Sequence, residues 1–266
     1  MALTVVEAQG VCLERILGAT YPIWHEGLTR EAYGRFDTAQ AKTAWGREHR
    51  RRVALVEGAD VLASATLLNL AGVCDERPVR VCGIGAVFAD PLHRGRGHAR
   101  ALVERVLDDA ARDGAGLALL FSDVHSTWCQ RNGFERIPTT QVELSVAESP
   151  RHGAPMTLVR SGEKRDFAAI VAMGQVRAAP DRFHLDRDVD LVQYAITKKR
   201  LLAGLGPAGV HQLQFFIAEE GHTAAAYVVV SVAGSTWTIE VGEAFERGRD
   251  GAVAWIDGVG ATTLRG

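Results

Sequence analysis

The stretch that decides the fold is Ala89-Asp90-Pro91-Leu92-His93-Arg94-Gly95-Arg96-Gly97-His98-Ala99. Before it, Val79 to Phe88 has the β-branched, apolar composition of a strand. After it, Ala99, Leu102, Val103, Val106, Leu107 and Ala110 recur at the spacing of one helical face. Gly114-Ala115-Gly116 ends that helix, and Leu117 to Phe121 is an unbroken apolar run, as expected of a parallel strand buried on both faces. Strand, loop, helix and strand in that order make one βαβ unit.

The loop itself reads as an anion site. At a strand-to-helix junction the first helical N–H groups are unpaired and the helix dipole is positive. Gly95 and Gly97 carry no Cβ, so the backbone can approach a diphosphate, and Arg94, Arg96 and Arg100 add local positive charge. The other phosphate loops fit less well. A Walker loop needs a lysine that is missing, and the dinucleotide fingerprint needs Gly or Ala where Arg100 stands.

Outward from the loop, Leu3 to Val6 reads as a short strand, and Trp24, Leu28, Ala32 and Phe36 recur at steps of four, as on an amphipathic helix. Val53 to Val56, the turn Glu57-Gly58-Ala59-Asp60 and Val61 to Leu70 form a hairpin, joined to Val79–Phe88 by a polar connection at Asp75 to Pro78. On the other side, Ser122 or Asp123 caps a short helix over Val124 to Asn132, closed by Gly133 with Phe134 behind it. A strand near Gln141 to Val146 completes the first half, and Ser149 to Pro155 reads as a linker. Two domains are expected, 1–148 and 156–266. In the second, Arg165 to Val176 and Ala195 to Leu205 read as helices, Gln212 to Ala218 and Ala224 to Trp237 as a hairpin, and Thr238 to Val241 as an edge extension.

Composition narrows the function classes. The chain has 266 residues, 47% hydrophobic and 23% charged, with 30 Lys+Arg against 32 Asp+Glu. That balance excludes a disordered chain and gives no general attraction to nucleic acid or anionic lipid. Cys12, Cys74, Cys82 and Cys129 show no CxxC pair and no zinc-like spacing to histidine, so no metal is expected and reduced thiols in the cytoplasm fit best. No run approaches the roughly 20 apolar residues that cross a bilayer, so no membrane partner is expected.

Arg94-Gly95-Arg96-Gly97-His98-Ala99, between a strand and a long helix, resembles the Gln/Arg-x-x-Gly-x-Gly/Ala motif of the GCN5-related N-acetyltransferase (GNAT) superfamily. The resemblance covers roughly residues 1–147. It implies an α/β (α+β) fold with a mixed twisted sheet and flanking helices, plus a smaller second half that is a degenerate or truncated relative of the same fold or an irregular domain shaping the acceptor cleft. It also implies acetyl-CoA as cosubstrate and direct acetyl transfer to a small-molecule or peptide amine. The backbone of Ala86, Val87 and Phe88 would pair with the pantetheine arm, and the amides of Arg94, Gly95, Arg96, Gly97, His98 and Ala99 would hold the pyrophosphate. The family's usual proton donor is a tyrosine four residues before the glycine that closes the short helix, and here that position is Cys129. Two readings of Cys129 stand, a weak proton donor or a small core residue. Asp123, with His125 nearby, either relays a proton through water or merely caps the helix. The missing tyrosine keeps open an alternative, a catalytically weakened CoA-binding or regulatory module.

Overall fold

The computed structural model describes residues 2–121, 126–137, 143–144, 157–207, 211–233, 236–244 and 264–265. In chain order its elements begin β1 (Thr4–Glu7), α1 (Gly10–Trp24), α2 (Arg30–Lys42), α3 (Ala44–His49), β2 (Arg50–Glu57), β3 (Asp60–Cys74), β4 (Arg77–Ala89), α4 (His98–Arg112), β5 (Ala115–Phe121) and α5 (Ser126–Arg131). They continue with β6 (Glu143–Leu144), β7 (Thr157–Ser161), α6 (Phe167–Ala178), β8 (Phe183–Leu185), α7 (Val189–Leu205), β9 (Gln212–Glu220), β10 (Thr223–Ala233), β11 (Thr236–Ala244) and β12 (Leu264–Arg265). Two compact units result: 1–138 with 182–186, and 139–181 with 187–266.

Two-residue turns set the register of the first unit's sheet. Glu57 faces Asp60 across Gly58-Ala59, and Cys74 faces Arg77 across Asp75-Glu76, both of which have positive φ (47° and 63°). A turn with both central residues left-handed matches the twist of the strands it joins. The strands run in the order β1-β2-β3-β4-β5, antiparallel except for the parallel pair β4/β5 that α4 connects. Leu102, Val103 and Val106 of α4 pack on Val53, Leu55, Ala63, Ala65 and Ile84. Side chains alternate along a strand, so Ala54 points to the other face, where Ile16 of α1 covers it. On that second face Asp37 of α2 is buried and pairs with both Arg50 (2.5 Å) and Arg52 (3.3 Å) of β2. Burial pushes the Arg52 guanidinium below its ordinary pKa, and Asp37 pulls it back up.

A late piece of chain completes this sheet. β8 pairs with Gly72–Cys74 at the end of β3, and Arg182 beside it donates to both carboxylate oxygens of Asp75 (2.8 and 3.0 Å). A Cβ on Gly72 would stand 2.7 Å from the His184 carbonyl oxygen, so this close approach requires glycine.

Four sequence expectations need correction. Trp24, Leu28, Ala32 and Phe36 do not share one helix: Glu26 and Gly27 turn left-handed (φ 49° and 77°), Thr29 caps the amide of Ala32, and a second helix starts at Arg30. The run Leu117–Phe121 is parallel to β4 as expected, but it is not buried on both faces. Among the described residues β5 is the last strand of its sheet, and Phe121 remains 50% exposed. The strand near Gln141–Val146 appears as β6, paired with β12 in the other sheet. Finally, Thr238–Val241 is no edge extension: β11 lies between β10 and β12, and the run Ala224–Trp237 spans two strands. The 149–155 linker lies outside the described residues.

The second unit's sheet runs β6-β12-β11-β10-β9-β7. Its core joins Phe167, Ile170 and Met173 of α6 and Val192 and Ile196 of α7 to Phe215, Ile217, Tyr227 and Val229 of the sheet. Arg160 of β7 bonds both Asp166 carboxylate oxygens (2.8 and 2.7 Å) and Glu219 (2.7 Å). Asp166 also accepts from the Glu163 amide at 2.7 Å, part of the capping box of the 3-10 turn Lys164–Asp166 that precedes α6. Chiefly through the Arg160 hydrogen bonds, its carboxyl is held below the ordinary carboxylate pKa. A group depressed in this way stabilises the fold above its unfolded pKa of about 3.9 and loses that contribution as pH falls through its folded value. The urea midpoint of the parent should therefore drop as pH falls below about 4, and Asp166→Asn should be less stable at pH 7 and lose less on acidification. Parallel pH profiles for the two proteins would refute this.

Candidate functional site

The site grows from an irregularity in β4. Gly85 faces Thr66 on β3, but Phe88 faces Ser64, so Ala86 and Val87 oppose the single residue Ala65. This is a β-bulge, and Ala86 sits in it at φ +48°. A left-handed alanine costs roughly 1–2 kcal/mol, a strain that proteins concentrate at functional sites. On the other edge, β4 pairs with β5 only as far as Gly85↔Phe121. The N–H and C=O groups along Ala86–Phe88 therefore have no β5 partner among the described residues, and unpaired main-chain groups are ready to bind an amide-bearing ligand.

Beyond the bulge the chain enters the arginine-glycine loop. Asp90 accepts from the Leu92 amide (2.9 Å), and Arg94 folds back to donate its Nε–H to the Ala89 carbonyl (3.2 Å) with its guanidinium 5.9 Å from the Phe88 ring centre. Gly95 and Gly97 both take φ near +80° (78° and 81°), and a Cβ on either would meet nothing within 4 Å. Left-handed backbone, rather than crowding, is what calls for glycine there. Gly97 caps α4 with no side-chain hydrogen bond, and the first helical bond is Ala101 N–H to the Gly97 carbonyl (2.9 Å). The amides of His98, Ala99 and Arg100 thus form an open, positive helix end. Arg96 is exposed, Arg100 pairs with Glu104 (2.7 Å), and the His93 and His98 rings meet edge to face at 6.3 Å.

All nine residues singled out for the cofactor, Ala86 to Phe88 and Arg94 to Ala99, lie on this one continuous bulge, loop and helix end. Cys129 is half-buried on α5. That helix ends as the sequence pattern implied: Gly133 N–H bonds the Gln130 carbonyl (3.1 Å) and Phe134 N–H the Cys129 carbonyl (3.1 Å), while Trp128 and Phe134 pack on the α4-side core. Asp123, with Ser122 and His125, lies outside the described residues. Sequence reasoning named Ala86 but not its left-handed bulge, which no residue type announces, and it placed Trp24 on a helix face without the Phe88 ring that lies 6.3 Å away. It also passed over Asn132, which donates to the Trp128 carbonyl (2.7 Å) and keeps a buried, unpartnered Oδ1. Among the described residues no cluster of His, Cys, Asp or Glu is placed to hold a metal ion, and no helix is long and apolar enough to cross a membrane.

The profile of the acetyltransferase (GNAT) domain family matches residues 24–137, which spans the bulge, the loop, α4 and α5. No curated protein is significantly similar to the chain. Among solved structures, a GCN5-related N-acetyltransferase from Anabaena variabilis superposes with a TM-score of 0.75 at 12% identity, over 99% of this chain and 65% of its own. One from Kribbella flavida gives 0.68 at 17% identity, over 99% and 64%. The Saccharomyces cerevisiae N-myristoyltransferase with bound myristoyl-CoA gives 0.59 at 8% identity, over 99% and 76%. The chain thus spans less than two thirds of the two bacterial structures, and at these identities the likeness is one of fold.

Proposed function

From the match of residues 24–137 to the acetyltransferase (GNAT) domain family we propose that the protein transfers an acyl group from a CoA thioester to an amine. In the simplest case acetyl-CoA is the donor, and the acceptor is a small molecule or peptide. The observation that carries this reading is the meeting of an unpaired bulge with an open helix end along one run of chain, 86–99. An arm rich in amides suits the first, and a pyrophosphate suits the second.

The residues divide the work. Backbone groups of Ala86, Val87 and Phe88 align the pantetheine, and the amides of the loop and of His98 and Ala99, with Arg94 and Arg96, neutralise the pyrophosphate. The amine nitrogen attacks the thioester carbonyl, the C–S bond breaks, and the proton shed by the amine ends on the departing sulfur, leaving an amide and CoA thiol. Cys129 is assigned as the donor of that last proton and Asp123 as a relay for the amine's. The reading includes a cytoplasmic setting, in keeping with four cysteines that form no disulfide.

The test follows thiol release from acetyl-CoA across a panel of amines. Parent protein should release thiol with at least one amine. Cys129→Ala should lower kcat by about a hundredfold at unchanged KM for acetyl-CoA, and Cys129→Tyr should preserve or raise it. One observation favours a second reading, the absence of the family's tyrosine at Cys129. Tight CoA binding with no thiol release from any amine would establish the weakened, CoA-binding module instead.

A further inference from the structure

Gly85 pairs with Thr66 on one side and Phe121 on the other, so the three share one face of the sheet. It is the face away from α4, whose core takes the alternate positions Ile84, Ala65 and Leu120. A Cβ on Gly85 would meet nothing within 4 Å, so a gap lies over the strand there. The gap has definite walls. Half-buried Thr66 stands on one side and the half-exposed ring of Phe121 on the other. At the bulge end stand Phe88 and Trp24. At the far end, over Gly83, the space is already filled, because a Cβ there would lie 3.0 Å from both Leu68 Cβ and Leu70 Cδ1.

We propose that this trough receives the acyl chain of the donor, and that the preferred donor is a CoA thioester with a chain of about four to six carbons rather than acetyl. The proposal rests on the CoA reading of the 86–99 run and adds the class of donor. A thioester held by the bulge puts its carbonyl beside Ala86, and the free volume next to it along the strand is the one over Gly85. An acetyl methyl would leave most of that apolar space and the Phe121 ring in water. From Gly85 to the stop at Gly83 the strand rises roughly 6.6 Å, which is room for about four or five chain carbons. The walls are hydrocarbon and aromatic apart from the Thr66 hydroxyl and, beside Phe88 at the bulge end, the buried Ser64 hydroxyl, and none of these side chains is cationic, so a straight alkyl chain suits them and a carboxylated acyl group does not.

Calorimetric titration of the full chain with CoA, acetyl-CoA, butyryl-CoA, hexanoyl-CoA and dodecanoyl-CoA tests this. Affinity should rise from acetyl to hexanoyl by roughly fourfold for each methylene that is buried, and should rise no further at dodecanoyl. Gly85→Val fills the trough with a side chain that the local backbone and space accept. It should bind CoA like the parent, which shows it is folded, and lose the preference for hexanoyl-CoA by tenfold or more. Phe121→Ala should weaken hexanoyl-CoA and spare acetyl-CoA. Equal affinity for acetyl and hexanoyl donors, or a Gly85→Val protein that keeps the preference, overturns the proposal while leaving the CoA site intact. Failure of every CoA species to bind overturns the underlying reading and this one with it.

Discussion

Gly97→Val is expected to abolish the stabilisation that CoA confers on the parent. At a hundredfold excess over its dissociation constant a ligand adds about 2.7 kcal/mol, which for a chain of this size raises the melting temperature by roughly 5 °C or more. Gly97 stands at φ +81° immediately before the first helical residue of α4. A β-branched side chain at that φ is a genuine outlier, so valine moves the backbone out of the left-handed region and turns the amides of His98 and Ala99 away from a common point. The site is exposed and its Cβ position is empty, so the unliganded fold should survive with only the local strain. Arg94→Glu should give the same loss by a different route, since it replaces a positive group on the loop with one that repels a diphosphate. Differential scanning of the three proteins with and without CoA is the measurement. A Gly97→Val protein that melts higher by the parental increment would place the pyrophosphate elsewhere.

Asp37→Ala is expected to cost about 3–5 kcal/mol of unfolding free energy, the loss typical when one partner of a buried ion pair is removed. Asp37, Arg50 and Arg52 have side-chain exposures of 7%, 6% and 8%, so the alanine leaves two guanidinium groups facing each other out of reach of bulk water. Arg52 already has a buried Nε–H with no acceptor. The damage lies in the stranded charge more than in the lost bond, and a second change checks that. Adding Arg52→Met should restore part of the stability, because one of the two like charges is gone and hydrocarbon takes its place. If the double variant is weaker than Asp37→Ala by the full cost of Arg52→Met alone, the charge argument is wrong. Urea unfolding curves of the four proteins decide between the outcomes.

How much of this was readable in advance can be argued residue by residue. The α4 stripe, Leu102, Val103 and Val106, needs only a period of 3.6 residues, and the helix lies where the period places it. Gly133 with Phe134 closes α5 by hydrogen bonds made within six residues of chain. Gly95 and Gly97 are legible for the same reason, since left-handed backbone is a local demand that glycine meets. The apolar run Leu117–Phe121 misled because composition records that a strand is hydrophobic and not how many neighbours it has. Among the described residues β5 lacks a neighbour on one side, and a free face can equally be built to hold a ligand.

What the sequence by itself determined, then, are features whose cause lies within a turn or two of chain: the Gly58 hairpin, the strand-loop-helix order, the glycine positions of the arginine-glycine loop and the cap of α5. What only the tertiary structure decided are the features that need a partner far along the chain. The bulge at Ala86 exists relative to Ala65 of β3, and the gap over Gly85 exists because Thr66 and Phe121 flank it. β8 arrives at Gly72 from more than a hundred residues away, β6 at mid-chain finds β12 near residue 264, and Asp37 on a helix collects two arginines from a strand. Local propensity is fixed by each residue's own rotamers and dihedral wells, whereas these pairings depend on which surfaces collapse together, a choice made by the summed burial of the whole chain.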